Sequence, residues 1–305
     1  MFMPEMVTSP LAVHVACVWE VTARKLGNVH PTADFPGLSY LDFVLSAGEI
    51  RDLIGHAYQS SWPFGAHRGI GIRVRNAVRA TRKVVGTNTN LGIILLLAPL
   101  AAVMFESHET PPRDQARAVL DGLTADDAGA VYEAIRHAHP GGLGDAPEQD
   151  VREEPTVTLL EAMKLAADRD MVARQYANGF ADVFDFGVPA FLAAFARFGC
   201  VEAAIVDSQM KWLANYPDSL IARKNGPAVA EDVQRRAIEV ERLGGVASPE
   251  GRRAGVALDR HLRSDGNKLN PGTTADLITA CLFVALRENT VAPSAPFRWH
   301  VSDWL

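Results

Sequence analysis

At 305 residues, with 48% hydrophobic and 22% charged residues, the chain has the composition of a folded globular protein and the length of one large domain or two ordinary ones. A formal charge of −6 excludes the basic character expected of a general nucleic-acid binder. Three scattered cysteines, Cys17, Cys200 and Cys281, fit neither a disulfide framework nor a zinc pattern, which points to a reducing cytoplasm.

In chain order the sequence reads as helix after helix. The N-terminus lacks the basic start and apolar core of a signal peptide. Ser9-Pro10 is an N-cap with Pro at the first helical position, and Leu11, Val15, Val18, Trp19 and Thr22 keep helical spacing toward Gly27. Ser39 with Asp42 opens the next helix as a capping box. A loop with Trp62, Pro63 and Gly65 leads to a basic helix from Arg68 to Lys83, a turn at Gly86, and an apolar run from Leu91 to Phe105. That run holds Pro99 and falls short of the ~20 residues a membrane span needs, so it reads as a buried core helix. Thr124 with Asp127 and Thr158 with Glu161 mark two more helix starts. Between them, the run from His139 to Gly144 (HPGGLG) reads as an exposed loop, mobile over about 139–156. His137 and His139 abut it with no third ligand at metal spacing, so no zinc site is expected. Further helices fall at about 168–185, 189–198, 201–215, 227–243, 249–263 and 274–288. Phe297 to Val301 is the only candidate strand, and Trp299, His300 and Trp304 suggest a tail over 290–305 docked on the body or on a partner subunit. The pattern predicts an all-α fold: a single multi-helix domain over 1–305 whose long polar loops form a nucleotide- and phosphate-binding cleft.

Four polar stretches stand out from the helical background. Leu269 to Leu277, LNPGTTADL, is a turn at Asn270, Pro271 and Gly272 followed by Thr273 and Thr274 at a helix start. Free N–H groups, two hydroxyls and the positive helix end suit a phosphate, and Asp276 could cap the helix or hold a bridging cation. Glu20 to Phe35 carries Glu20, Lys25, Asn28, His30 and Asp34, with Gly27-Asn28 read as the helix end. Gly86 to Gly92, GTNTNLG, brings Asn88 and Asn90 to the start of the apolar helix, where their amides can read a base or ribose or satisfy the backbone. Pro217 to Gly226, PDSLIARKNG, sets Asp218 beside Arg223 and Lys224, a set suited to a metal-bound polyphosphate or to a plain surface turn.

Taken together, KxGNV…D, GTNTNLG, DSxxxRKxG and NPGTTADL resemble, in the same order and over nearly the whole chain, the triphosphoribosyl-dephospho-CoA synthase family. The resemblance implies an all-helical enzyme that joins the ribose of ATP to the 2′-hydroxyl of 3′-dephospho-CoA, with an α-glycosidic bond formed and adenine released. The chain departs from the family pattern at Asn90, where an NTHxG histidine is usual, and at KLGNVHPTADF, where KPGLV and Gly-x-His-x-Asp-Met are usual. Those departures resemble a branch found in methanogens and methanopterin-using bacteria, so a related ribosyl transfer to another phosphorylated cofactor precursor is the alternative.

Such a transfer builds oxocarbenium charge on the ribose, needs a base for the acceptor hydroxyl and a proton for the leaving adenine, and must neutralise a triphosphate. The resemblance and the residue types assign Mg²⁺ and polyphosphate to Asp218 and Asp276, and phosphate oxygens to Lys25, Arg223 and Lys224. Thr273 and Thr274, with Asn270 and Gly272 in the turn, take phosphate at the helix start; Asn28, Asn88 and Asn90 position ribose or base; Glu20 or Asp34 is the base or oxocarbenium stabiliser. A non-catalytic nucleotide sensor, and a hydrolase using water as acceptor, are the rivals from other classes. No nucleic-acid or membrane partner is expected, and a homo-oligomer is left open.

Overall fold

Three helix starts are set by capping boxes that the sequence spells out. Ser39, Thr124 and Thr158 each accept from the backbone N–H three residues on, while Asp42, Asp127 and Glu161 reach back to the cap N–H. The computed structural model describes residues 6–56, 69–107, 109–144 and 148–305. The predicted loop residues Trp62, Pro63 and Gly65, and Arg68 at the start of the basic helix, lie outside them.

The described residues form α1 (Ser9–Thr22), α2 (Tyr40–Gly55), α3 (Ile70–Val85), α4 (Leu91–Leu100), α5 (Pro112–Asp121), α6 (Ala125–Ala138), α7 (Leu159–Ala166) and α8 (Met171–Asn178). A π-helical turn, Asp182–Gly187, runs into α9 (Val188–Phe198). Then follow α10 (Val201–Asn215), α11 (Ser219–Asn225), α12 (Pro227–Arg242), α13 (Pro249–Leu262) and α14 (Gly272–Arg287). The fold is all-α, as expected. Two helices escape the sequence pattern: α5, and the short α11 inside the stretch read as a turn. Helix α1 stops at Thr22, five residues before Gly27, because Ala23 turns to extended backbone (ψ 134°). Among the described residues no single helix is long and apolar enough to cross a membrane.

Helices α4 and α14 lie at the centre. Every residue of α4 but Gly92, and every residue of α14 but Gly272 and Asp276, is buried. Two of those three exceptions meet each other, as described below. A second apolar cluster joins Leu26 to α10–α13 and to the tail residues Trp299 and Trp304. The tail is not a strand. Its carbonyls at Pro296 and Phe297 accept from the N–H groups of Val201 and Glu202, which the start of α10 leaves without helical partners. Trp304 Nε1 donates to the Arg24 carbonyl at 3.0 Å, and Arg24 donates to the carbonyls of Trp299 and Leu305 at 2.8 and 2.9 Å. Arg24 is also paired with the buried Glu202 at 2.7 Å. This clasp fixes the segment after α1, and with it Lys25.

Candidate active site

The starts of α4, α11 and α14, the end of α6 and the glycine-rich loop after it line one cavity of 540 Å³. The four polar stretches of the sequence thus converge. Glu20, Asn28, Asn88, Asn90, Arg223, Lys224, Asn270, Gly272, Thr273 and Asp276 all line it; Lys25, Asp34, Asp218 and Thr274 do not.

The helix start expected to hold a phosphate already holds an anion, the carboxylate of Asp218. One oxygen accepts from the N–H groups of Leu220 and Ile221 (2.9 and 3.1 Å), capping α11; the other accepts from Thr274 N and Oγ1, both at 2.8 Å. Burial raises its pKa, while these hydrogen bonds, above all that from the Thr274 N–H, work to lower it. Four donors on a buried carboxylate make Asp218 a rivet between α11 and α14. This corrects two assignments: Asp218 is not placed to take a metal, and the Thr274 groups are not free for phosphate. Thr273 accepts from the Ser219 hydroxyl at 3.1 Å and still lines the cavity.

Two further assignments change. Lys25 is fully buried; its Nζ pairs with the Glu20 carboxylate at 2.8 Å and donates to the Glu20 carbonyl. It neutralises Glu20 from behind instead of meeting phosphate. Asp34 is exposed and accepts from the Tyr40 N–H at 2.7 Å ahead of α2, away from the cavity wall. Nearby His30, buried among Arg263, Lys25 and Arg24, has its pKa driven down to about 3, chiefly by burial, and is a neutral packing residue.

Asp276 remains the open carboxylate. It stands on the cavity side of α14, only partly buried, and accepts no hydrogen bond from a described residue. Burial, then the charges of Glu20, Asp218 and Asp170, raise its pKa well above the carboxylate range. Its position depends on Gly92, since a Cβ there would run into the Asp276 carboxylate. The last glycine of GTNTNLG is therefore the point where α4 lets the acid of α14 lie against its backbone. Gly92→Ala is expected to leave thermal stability close to wild type and to cut turnover about 100-fold by shifting that carboxylate about an ångström. A melting curve alongside kcat checks both halves.

The amides and cations complete the polar wall. Asn28 donates to Asn270 at 2.6 Å and accepts from Gln209 at 2.8 Å, joining two distant stretches. Asn88 caps α4 by accepting from Leu91 N–H at 3.1 Å, and Asn90 donates to Thr81 at 3.3 Å. Arg223 pairs with Asp170, whose other oxygen accepts from the Val172 N–H at 2.8 Å to cap α8. Burial lowers the pKa of Lys224.

Sequence reasoning placed the HPGGLG loop outside the site, yet it forms part of the cavity wall. A Cβ on Gly142 (φ 70°) would come within 3.0 Å of the Arg223 backbone, and one on Gly141 within 2.9 Å of Lys224 Cε. The loop after it is tied back by Tyr132 Oη to the Gln149 carbonyl at 2.7 Å and by Arg136 to Val151. Arg169 and the apolar face of α6, α7 and α8, including Val131, Ile135, Leu159 and Met163, also line the cavity and were missed. The loop's glycines were the available signal, because close backbone approach requires them.

Among the described residues no three His, Cys, Asp or Glu side chains form a ready-made metal cluster. A Mg²⁺ carried on a polyphosphate needs only one or two protein carboxylates beside phosphate and water. Asp276, without a hydrogen-bond donor among the described residues, fits that demand.

Comparisons with known proteins point to one family. The sequence model for ATP:dephospho-CoA triphosphoribosyl transferase matches residues 10–294. A curated Pseudomonas putida protein, described as a 2-(5''-triphosphoribosyl)-3'-dephosphocoenzyme-A synthase, is 34% identical over 113 residues, 37% of this chain and 40% of its own length. A protein of the same description from Pseudomonas savastanoi pv. phaseolicola is 34% identical over 115 residues, 37% and 39% of the two chains. The chain thus matches about two fifths of the length of these relatives. The crystal structure of a protein titled a triphosphoribosyl-dephospho-CoA synthase, from Archaeoglobus fulgidus, aligns with a TM-score of 0.60 and 25% identity, covering 81% of this chain and 98% of that one.

Proposed function

The chain belongs to the ATP:dephospho-CoA triphosphoribosyl transferase family, and we propose that it transfers the triphosphoribosyl group of ATP to the 2′-hydroxyl of 3′-dephospho-CoA with release of adenine. The observation that carries this reading is the single cavity in which an open carboxylate, a second carboxylate backed by a buried lysine, and a row of cations and amides come together.

In this reading Arg223, Lys224 and Arg169 take the polyphosphate oxygens. Asp276, with phosphate oxygens and water, would hold Mg²⁺, which when bound neutralises the triphosphate. Glu20 faces the ribose. Burial raises its pKa and Lys25 pulls it back, so a buried carboxylate is kept available both to stabilise oxocarbenium charge and to accept the acceptor's proton. Asn28, Asn88, Asn90 and Asn270 supply donors and acceptors for ribose and base. The apolar face of α6–α8 offers a dry surface for the less polar parts of the two substrates.

Mass spectrometry of the purified protein with ATP, Mg²⁺ and 3′-dephospho-CoA tests the proposal. Free adenine together with triphosphoribosyl-dephospho-CoA is expected. Saturable ATP binding with no adenine would make the protein a nucleotide sensor, and adenine released at the same rate without acceptor would make it a hydrolase. Asn90, at the usual histidine position, is the specific reason to add pterin-type acceptors as a second arm: adenine release that responds only to those would move the chain to a related ribosyl transfer.

A further inference from the structure

We propose that His139 is the acid that protonates the departing purine. The inference rests on the transfer reaction proposed above and supplies the proton donor that reaction still lacks. Among the described residues lining the cavity, His139 is the only histidine, and its ring makes no hydrogen bond to any of them. It ends α6 in left-handed backbone (φ 49°), a conformation that a residue with a Cβ adopts at a cost. The chain then passes through Pro140 into Gly141 and Gly142, which are seated on Lys224 and Arg223. The backbone that carries the imidazole is therefore held one short turn from the two cations that meet the polyphosphate.

Three other lining groups have roles elsewhere. Glu20 takes the acceptor's proton, Asp276 faces the metal-bound phosphates, and the Tyr132 hydroxyl donates to the Gln149 carbonyl. An imidazole can donate a proton from a ring nitrogen to a nearby base, and His139 is exposed to the solvent that would replace it. In the step, the C1′–N9 bond breaks with its electron pair going to the purine, and the His139 proton moves to N7. The acceptor oxygen forms the new C1′–O bond and its hydroxyl proton passes to Glu20. Solvent then returns one proton to His139 and removes one from Glu20.

His139→Asn tests this, because asparagine tolerates left-handed backbone but has no titratable ring. The variant is compared with wild type on ATP and on an ATP methylated at N7, whose purine leaves without needing a proton. With ATP, kcat is expected to fall at least 100-fold. With the methylated donor, the variant should stay within about threefold of wild type. Equal losses on both donors would make His139 a structural residue, and no loss on ATP would remove it from the chemistry; either result overturns the inference. A wild-type enzyme that releases no adenine from ATP would instead sink the proposed function itself.

Discussion

Asp276→Asn is expected to lower kcat by about 100- to 1000-fold while the melting temperature stays within a few degrees of wild type. The wild-type carboxyl group accepts no hydrogen bond from a described residue, so the amide strands no donor there, and it adds no charge beside Glu20, Asp218 and Asp170. The loss falls on the reaction because this is the open carboxyl group proposed to meet metal-bound phosphate, where the bound cation would favour its ionised form, and interactions that develop with the transition state are worth about 3–4 kcal/mol each. Titration with Mg²⁺ separates the readings. A variant that recovers rate at much higher Mg²⁺ has a weakened metal site, whereas kcat within a few-fold of wild type would remove Asp276 from the centre of the mechanism.

Lys25→Met is expected to cost the fold about 3–5 kcal/mol, measured by urea denaturation, because it leaves the buried Glu20 carboxylate without its partner. Part of the loss is recovered by protonation of Glu20, whose pKa burial already raises, so the variant should gain stability as the pH is lowered through that raised value. The sign follows from the direction of the shift. A carboxyl that is harder to ionise folded than unfolded stabilises the fold when protonated, and that contribution disappears as rising pH ionises it. Adding Glu20→Gln to Lys25→Met should restore much of the stability and none of the activity. If the single variant is as stable as wild type, the ion pair is not what holds the end of α1 in place.

The convergence of the polar stretches was legible in the sequence, because turn residues, caps and amides cluster where chain direction changes and the binding groups collect. The helices were legible wherever a cap or a glycine punctuated them: α10 falls on the expected residues, and three capping boxes formed as written. What failed was the direction in which individual charges point. A sequence shows that Asp218 stands near Gly-Thr-Thr in chemistry but not that α11 folds its carboxylate onto Thr274, 56 residues on. Lys25 reads the same whether its amine faces a cavity or a buried glutamate; only packing of the tail and α13 around Leu26 decides it. The HPGGLG loop is exposed, as its composition predicts, but composition does not show that its glycines also bring the backbone against Arg223.

The clasp on Arg24 has a consequence in time. Trp304 and Leu305 reach it across 280 and 281 positions of sequence, and Trp299 across 275. Contacts so distant along the chain form late, since a large loop must close before they can reward it. On a ribosome, the segment bearing Glu20 and Lys25 emerges long before its partners and waits, without its clasp, until Trp299, Trp304 and Leu305 have been added.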